Sequence, residues 1–423
     1  MEITNKDFII DYLGEATIPS PIKVSRYYSN SDRIRYKIEY SEKSKDYDND
    51  LSFQATGPHQ KIYFDPITTV AGIVTCGGLS PGINSVIRSI VYQLTEYGVR
   101  KILGFKNGFA GLLKVSEAPL ELSLSLVEEI HLKGGTILGS SRGGINQDDA
   151  IENLKNKGVN ILFCIGGDGT LRGANSLNDI ARKKGYKLSV IGIPKTIDND
   201  VPFVYQSFGF STAVEKAKEV IVQAHTESSS YKNSISVVKL MGREAGFITL
   251  HACLAAQLAD IALIPEVQFD LVGSENSLVS RIKKCLLLKK SCVVVVAEGA
   301  GQNLFDNASD EKDLSGNKKF NDIGIKIVET IKNNLPKELN FSVKYFDPSY
   351  SIRAIPANIS DSVLCDGLAR AAVDAAMSGI TNSIIGIWYN QLVYVPMKTV
   401  CGMKKRVNPN GNSWQRLVSM MGV

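Results

Sequence analysis

The sequence predicts an α/β protein built as two doubly wound lobes behind an N-terminal extension. Three observations predict it. From Val70 onward, short apolar runs alternate with segments of helical periodicity, the pattern of a parallel sheet covered on both faces. Three motifs rich in glycine or aspartate follow directly on apolar runs: CGGLSPGIN at Cys76–Asn84, IGGDGT at Ile165–Thr170 and IPKTIDND at Ile193–Asp200. Around Ser207 the alternation starts afresh, which asks for a second lobe with a cleft between the two.

Residues 1–69 differ in kind from the rest. YYSNSDRIRYKIEYSEKSKDYDNDL is polar, charged and rich in tyrosine, and SDRIRYKIEYS alternates as an exposed strand does. The segment is expected to pack on the core, with a disordered tip near Ser44–Asp50. VAGIVTC (Val70–Cys76) is apolar without alternation, so it reads as a buried parallel strand. Ile83, Val86, Ile87, Ile90, Val91 and Leu94 then recur at helical spacing, and Gly98 supplies the C-cap. KILGF, NILFCI and LSVIGI are further strands.

The second run opens with a helix over Thr212–Ser228, a strand over Ser234–Leu240 and a helix after Arg243. IALIPE, the strand CVVVVAEG and a helix over Asp322–Leu335 follow, and the charged stretch Gln302–Asn321 reads as an exposed insertion. An alanine-rich helix at Ser362–Met377 and the strand SIIGIWY close the pattern. The expected division is an extension at 1–69, a first lobe at 70–205 plus 345–400, a second at 206–344 and a C-terminal segment at 401–423. SIIGIWY is thereby expected to return to the first lobe.

Composition narrows the classes of function. A chain of 423 residues allows two or three domains. A formal net charge of +5 is too small to argue for nucleic acid and gives a mild bias toward anionic substrates. The seven cysteines sit mostly within apolar runs, as buried thiols in a reducing compartment do. Four scattered histidines make no metal box. MEITNKDFIIDYLGE lacks a secretory core, and no apolar run approaches the roughly 18 residues of a membrane span. The expectation is a soluble cytoplasmic protein without nucleic-acid or membrane partners.

Ligands of open α/β sheets bind at the carboxyl ends of strands, where the three motifs sit. Glycines there let a backbone approach phosphates, and a following helix offers free N–H groups, although a tight turn alone also explains a Gly-Gly. Asp168 suits a Mg²⁺ ligand or an N-cap for a helix starting near Leu171. Asp198 and Asp200 point the same way if the backbone is extended. One can then accept a proton from an attacking hydroxyl while the other orients Mg²⁺; an Asx-rich turn explains the motif equally well on its own, but its place after a third strand, beside two glycine loops, favours the catalytic reading. Arg243 and Glu298 also read as surface ion-pair partners, and Met241 as core.

CGGLSPGIN, GGTILGSSRGG, IGGDGT, PKTIDND, KLMGREAGF, AEGAGQ and PSYSIR together resemble the phosphofructokinase family, and within it the long ATP-dependent branch of plants and kinetoplastids. The resemblance runs from about Gly57 to Pro396. It implies that Gly77, Gly167, Asp168, Gly169, Thr170 and Gly173 hold the donor's phosphates, with Asp168 serving Mg²⁺ and Arg142 reaching the β- and γ-phosphates. Asp198 would be the base for the sugar's 1-hydroxyl, with Thr196 and Asp200 beside it. Met241, Gly242 and Arg243 would hold fructose 6-phosphate, Glu298 its hydroxyls and Arg353 its 6-phosphate. Tyr350 and Lys344 stand where short bacterial members carry histidine and arginine, and Ser234 where they bring an arginine from a neighbouring subunit. A homotetramer is also implied. Gly169 favours ATP, because an aspartate there would crowd and repel an α-phosphate, whereas Lys195 is typical of pyrophosphate users. A pyrophosphate-dependent enzyme and a non-catalytic nucleotide-sensing subunit are the alternatives.

Overall fold

The computed structural model describes residues 3–38, 51–305, 311 and 319–421. The expected tip at Ser44–Asp50 and most of the Gln302–Asn321 insertion lie outside the described residues. The chain divides into two compact units: Met1–Thr196, Val201–Gly209 and Ile355–Lys404 form the first, and Ile197–Asp200, Phe210–Ala354 and Lys405–Val423 the second.

Among the described residues, the first unit is built on a nine-stranded sheet. Its parallel middle runs Ser383–Trp388, Ser189–Pro194, Val159–Gly166, Val70–Thr75, Lys101–Phe105. These strands are predominantly apolar because both faces are covered. Ile161, Phe163 and Ile165 pack with the helices Ile83–Tyr97 and Ile359–Met377, while Leu162 and Cys164 pack with Gln147–Asn156 and Asp168–Lys183. Gly98 ends the first of these helices in the left-handed conformation, at φ 89°.

The described part of residues 1–69 is no separate appendage. Arg33–Arg35 and Ser52–Ala55 extend this sheet antiparallel beyond Gln391–Pro396, and Asp11–Tyr12 pairs with Ile380–Thr381. The strand Gln391–Pro396, antiparallel to Ser383–Trp388, was not anticipated. It follows its partner after Tyr389 and Asn390, both at positive φ, which make the tight reversal.

The second unit holds a four-stranded parallel sheet in the order Ile261–Leu263, Ser291–Ala297, Ser234–Leu240, Ser342–Phe346. Helices Phe210–Ser229, Phe247–Ala256 and Asn412–Met421 cover one face, and Leu278–Lys289 and Ile323–Asn334 the other.

These units differ from the division expected at residues 205, 344 and 400. Ser342–Phe346 is the last strand of the second sheet, so a break at 344 would cut it. Trp414, Leu417 and Met421 are buried in that unit's core, so the C-terminal segment from Lys405 onward is part of it, whereas residues up to Lys404 belong to the first unit.

Candidate active site

In each sheet the chain steps to opposite sides of one strand, and functional loops gather at such switch points. In the first sheet that strand is Val70–Thr75, flanked by Lys101–Phe105 and Val159–Gly166. The loops at its end are bonded to one another. The Gly77 amide donates to Ser141 O at 2.9 Å, Ser140 Oγ donates to Gly77 O at 2.7 Å, and Thr75 Oγ1 donates to Gly139 O at 2.6 Å. Asn84, 3% exposed, donates to Lys133 O and accepts from the Ile137 amide, pinning the start of GGTILGSSRGG. Arg142 therefore leaves an anchored loop and is itself exposed.

Lys195 ties in the third motif. Its amide donates to Gly166 O at 2.9 Å, and its ammonium donates to Gly78 O although the residue is 5% exposed. Burial pushes the neighbouring Cys76 thiol up to about 12, so it stays a neutral packing group beneath the loop. All seven cysteines are free thiols, six of them buried.

The helix after GGD begins at Asp168, with Gly167 as N-cap. The alternative of an Asp168 cap for a helix starting near Leu171 is thereby removed. The Asp168 carboxylate sits in the first turn, where the helix dipole favours it, and Arg172 Nη1 lies 2.7 Å from its Oδ2. At Gly169 an added Cβ would meet nothing nearer than Arg172 Nη2 at 4.0 Å.

In the second unit the switch strand is Ser234–Leu240. Gly242 and Arg243 follow it at φ 139° and 48°, a reversal in which a Cβ on Gly242 would lie 2.6 Å from Ala245 O. The Arg243 amide donates to Glu298 Oε1 at 3.1 Å, and the Glu298 amide to Leu240 O at 2.8 Å, so KLMGR and AEG form one paired turn. Tyr350 is 73% exposed on the turn after Ser342–Phe346, and the Arg353 guanidinium lies 4.9 Å from its ring centroid.

A model of the phosphofructokinase family matches residues 70–376. The chain belongs to that family. The ATP-dependent 6-phosphofructokinase of Borreliella burgdorferi is 42% identical over 434 residues, covering 99% of this chain and 97% of its own. ATP-dependent 6-phosphofructokinase 1 of Arabidopsis thaliana is 41% identical over 425 residues, covering 97% and 89%. Among solved structures, the pyrophosphate-dependent phosphofructokinase from Marinobacter aquaeolei aligns with a TM-score of 0.70 at 20% identity, over 84% of this chain and 91% of that one, a likeness of fold.

Against the phosphofructokinase expectations, several residues have structural duties that their spacing did not disclose. The Gly77 amide is engaged by Ser141, so this glycine shapes the loop. Thr170 is 6% exposed, and a Cβ on Gly166 would lie 2.1 Å from its Oγ1. Gly173 makes room for Phe109, whose Cε2 would stand 2.6 Å from an added Cβ. The premise of an extended backbone through Asp198 and Asp200 fails, because Asn199 between them has φ 54°. Ser234 is fully buried at the start of its strand, bonded by Ser342 Oγ at 3.2 Å. The Lys344 ammonium is bonded to Glu227 and lies 4.0 Å from the Tyr231 ring centroid. Met241 is partly exposed, packed at the edge of a core cluster.

Three neighbours went unread. Arg172 pairs with Asp168, and its i,i+4 spacing was a usable signal. Lys405 binds Asp200 O through its amide at 2.8 Å, and burial pulls its ammonium down to about 8, opposed by Asp200. Glu266 accepts the amides of both Gly246 and Val407, at 3.0 and 2.8 Å. Nothing local marks the last two as neighbours of KLMGREAG or TIDND.

Proposed function

We propose that the chain is an ATP-dependent 6-phosphofructokinase that transfers the γ-phosphoryl group of Mg-ATP to O1 of fructose 6-phosphate, giving fructose 1,6-bisphosphate and ADP. The observation that carries the reading is the bonded set of loops in the first unit. Gly77–Ser141 and Lys195–Gly78 bring three motifs together beside the helix N-terminus at Asp168. Such a terminus, with a side-chain-free Gly169 in its first turn, suits a polyphosphate. The names of the near-full-length relatives support ATP as donor.

Among the described residues no three His, Cys, Asp or Glu groups form a metal cage. A cation here would rest on one carboxylate, Asp168, with phosphates and water completing its shell, the habit of Mg²⁺. Mg²⁺ bound there supplies charge neutralisation on the transferring group. Asp198 takes the proton of the O1 hydroxyl as O1 bonds to the γ-phosphorus and the bond to the bridging oxygen breaks, with Thr196 and Asp200 beside it. Arg142 and the helix N-terminus stabilise charge on the phosphates. Met241, Gly242, Arg243 and Glu298 hold the sugar, and Lys344, Tyr350 and Arg353 its phosphate. Lys344 does so by exchanging Glu227 for the ligand.

The deciding experiment supplies fructose 6-phosphate and Mg²⁺ with either ATP or pyrophosphate. Bisphosphate formed with ATP alone is the expected result. Product with pyrophosphate alone makes Lys195 the determinant of donor choice, and no product with either returns the nucleotide-sensing reading. A homotetramer and a cytoplasmic location complete the proposal, and light scattering on the purified protein checks the first.

A further inference from the structure

Lys239 lies in the strand Ser234–Leu240, two residues before Met241. Its side chain is 12% exposed, and its ammonium is 2.6 Å from Asp322 Oδ2 and 2.9 Å from Asp347 Oδ2. The Tyr345 hydroxyl donates to Asp322 Oδ1 at 3.1 Å. Burial works against this ammonium, yet its bonds to Asp322 and Asp347 hold its pKa above the usual lysine value.

Each partner leads into a different functional loop. Asp347 follows the strand Ser342–Phe346, accepts the Ser349 amide at 3.1 Å and opens the turn that carries Tyr350 and Arg353. Asp322 caps the helix Ile323–Asn334 by accepting the Ile325 amide at 3.1 Å. The residue before it, Asn321, is clipped to Gln302: Gln302 Nε2 donates to Asn321 O at 3.0 Å and to Glu298 O at 2.9 Å. One cation thus stands where the KLMGR, AEGAGQ and PSYSIR segments are held together. Without it two partly buried carboxylates would lack a cationic partner, and the turn that begins at Asp347 is the element able to move away.

We propose that Lys239 is a positioning residue for the sugar side of the reaction: by clamping Asp347 to Asp322 it sets the place of Tyr350 and Arg353, and so the affinity for fructose 6-phosphate, without touching the substrate. The inference rests on the function proposed above.

The test measures kcat, both KM values and melting temperature for wild type, Lys239→Met, Lys239→Arg and Lys239→Met/Asp347→Asn. Lys239→Met is expected to raise the KM for fructose 6-phosphate by about tenfold or more, while the KM for ATP stays within about twofold and kcat within about threefold. Lys239→Arg should bring the sugar KM back to within about threefold of wild type. The double variant should be no worse than Lys239→Met, since both changes break one clamp. An unchanged sugar KM in Lys239→Met, an equal rise for ATP, or no recovery in Lys239→Arg overturns the proposal. If Lys239→Met does not fold, Asp347→Asn decides alone: a sugar KM raised about threefold or more supports the clamp, and an unchanged one overturns it. Wild-type protein that neither binds nor phosphorylates fructose 6-phosphate overturns the function and this inference together. An active wild type with an indifferent Lys239→Met overturns this inference alone.

Discussion

The buried ammonium of Lys195 donates a hydrogen bond to the carbonyl oxygen of Gly78. One lysine thereby joins the end of the strand Ser189–Pro194 to the loop of the first glycine motif. In sequence, a lysine at position 195 is typical of pyrophosphate users, although its combination with Gly169 is that of the long ATP-dependent branch; its geometry gives it the additional task of holding a loop.

Lys195→Met should therefore weaken donor binding. A hydrogen bond from a charged group contributes about 1.5–3 kcal/mol, so the KM for ATP should rise by roughly 10- to 150-fold, with the sugar KM little changed. Steady-state kinetics with each substrate varied in turn checks this. An unchanged ATP KM would mean that the loop keeps its place without the lysine.

Gly169→Asp should leave the fold intact, since a Cβ there has open space and an acidic residue suits a helix first turn. Activity with ATP should fall by about 100-fold or more, the new carboxylate standing close to phosphate at low local dielectric. Assays with ATP and with pyrophosphate, beside a thermal melt, separate donor choice from damage. Full ATP activity in a folded variant would remove Gly169 as the determinant.

Asp198→Asn should lower kcat by about 10²- to 10⁴-fold, the usual contribution of a general base. ATP affinity, read by calorimetry, should stay within about twofold. Lost ATP affinity with normal turnover would take the base role away from Asp198.

Gly173→Ala tests packing against phosphate binding. The methyl would overlap Phe109 Cε2 at 2.6 Å, and overpacking of this kind costs about 1–3 kcal/mol. That matches or exceeds the roughly 1 kcal/mol gained from helix propensity. A lowered melting temperature, partly restored by Phe109→Leu in the same chain, is expected. A wild-type melt with weakened ATP binding would instead favour the phosphate role.

Asp374 predicts a pH dependence away from the site. It is 5% exposed, and Tyr97 and Gln93 donate to its Oδ1 at 2.9 and 3.1 Å. Burial raises its carboxyl to about 6 from 3.8, against the pull of those bonds. The folded state then holds a proton that the unfolded chain has released between about pH 4 and 6, so this group's contribution to stability falls as pH rises through that window. Relative to wild type, Asp374→Asn should be more stable above about pH 6, by about 3 kcal/mol at most, and the gain should vanish below about pH 4. Denaturant melts at pH 4.5 and 7.5 read the difference; a constant offset would place the origin elsewhere.

Much of the fold was legible because its signals are local. The apolar runs marking Lys101–Phe105 and Ser234–Leu240 match observed strands end to end, and the helix over Thr212–Ser228 is observed as Phe210–Ser229. The strand Gln391–Pro396 was missed because it is bounded by a two-residue turn and no Gly-rich signal. In the site, motif order and position were readable, since each motif follows an apolar run. The duty of Gly173 was not, because a glycine cradling phosphate and a glycine admitting a phenyl ring look alike in sequence.

The sequence by itself determined most of the core strands and helices and which loops end at strand termini, since periodicity and turn chemistry act over a few residues. It also placed the chain among phosphofructokinases through motifs that are individually ordinary and jointly specific. Tertiary structure decided which polar groups are already engaged. The Gly77 amide is held by Ser141, Lys195 is buried against Gly78, and Lys239 is shared by Asp322 and Asp347. Each of those contacts joins residues dozens of positions apart in the chain. No local propensity encodes them; they arise when burial brings distant donors and acceptors together and water is no longer there to satisfy them.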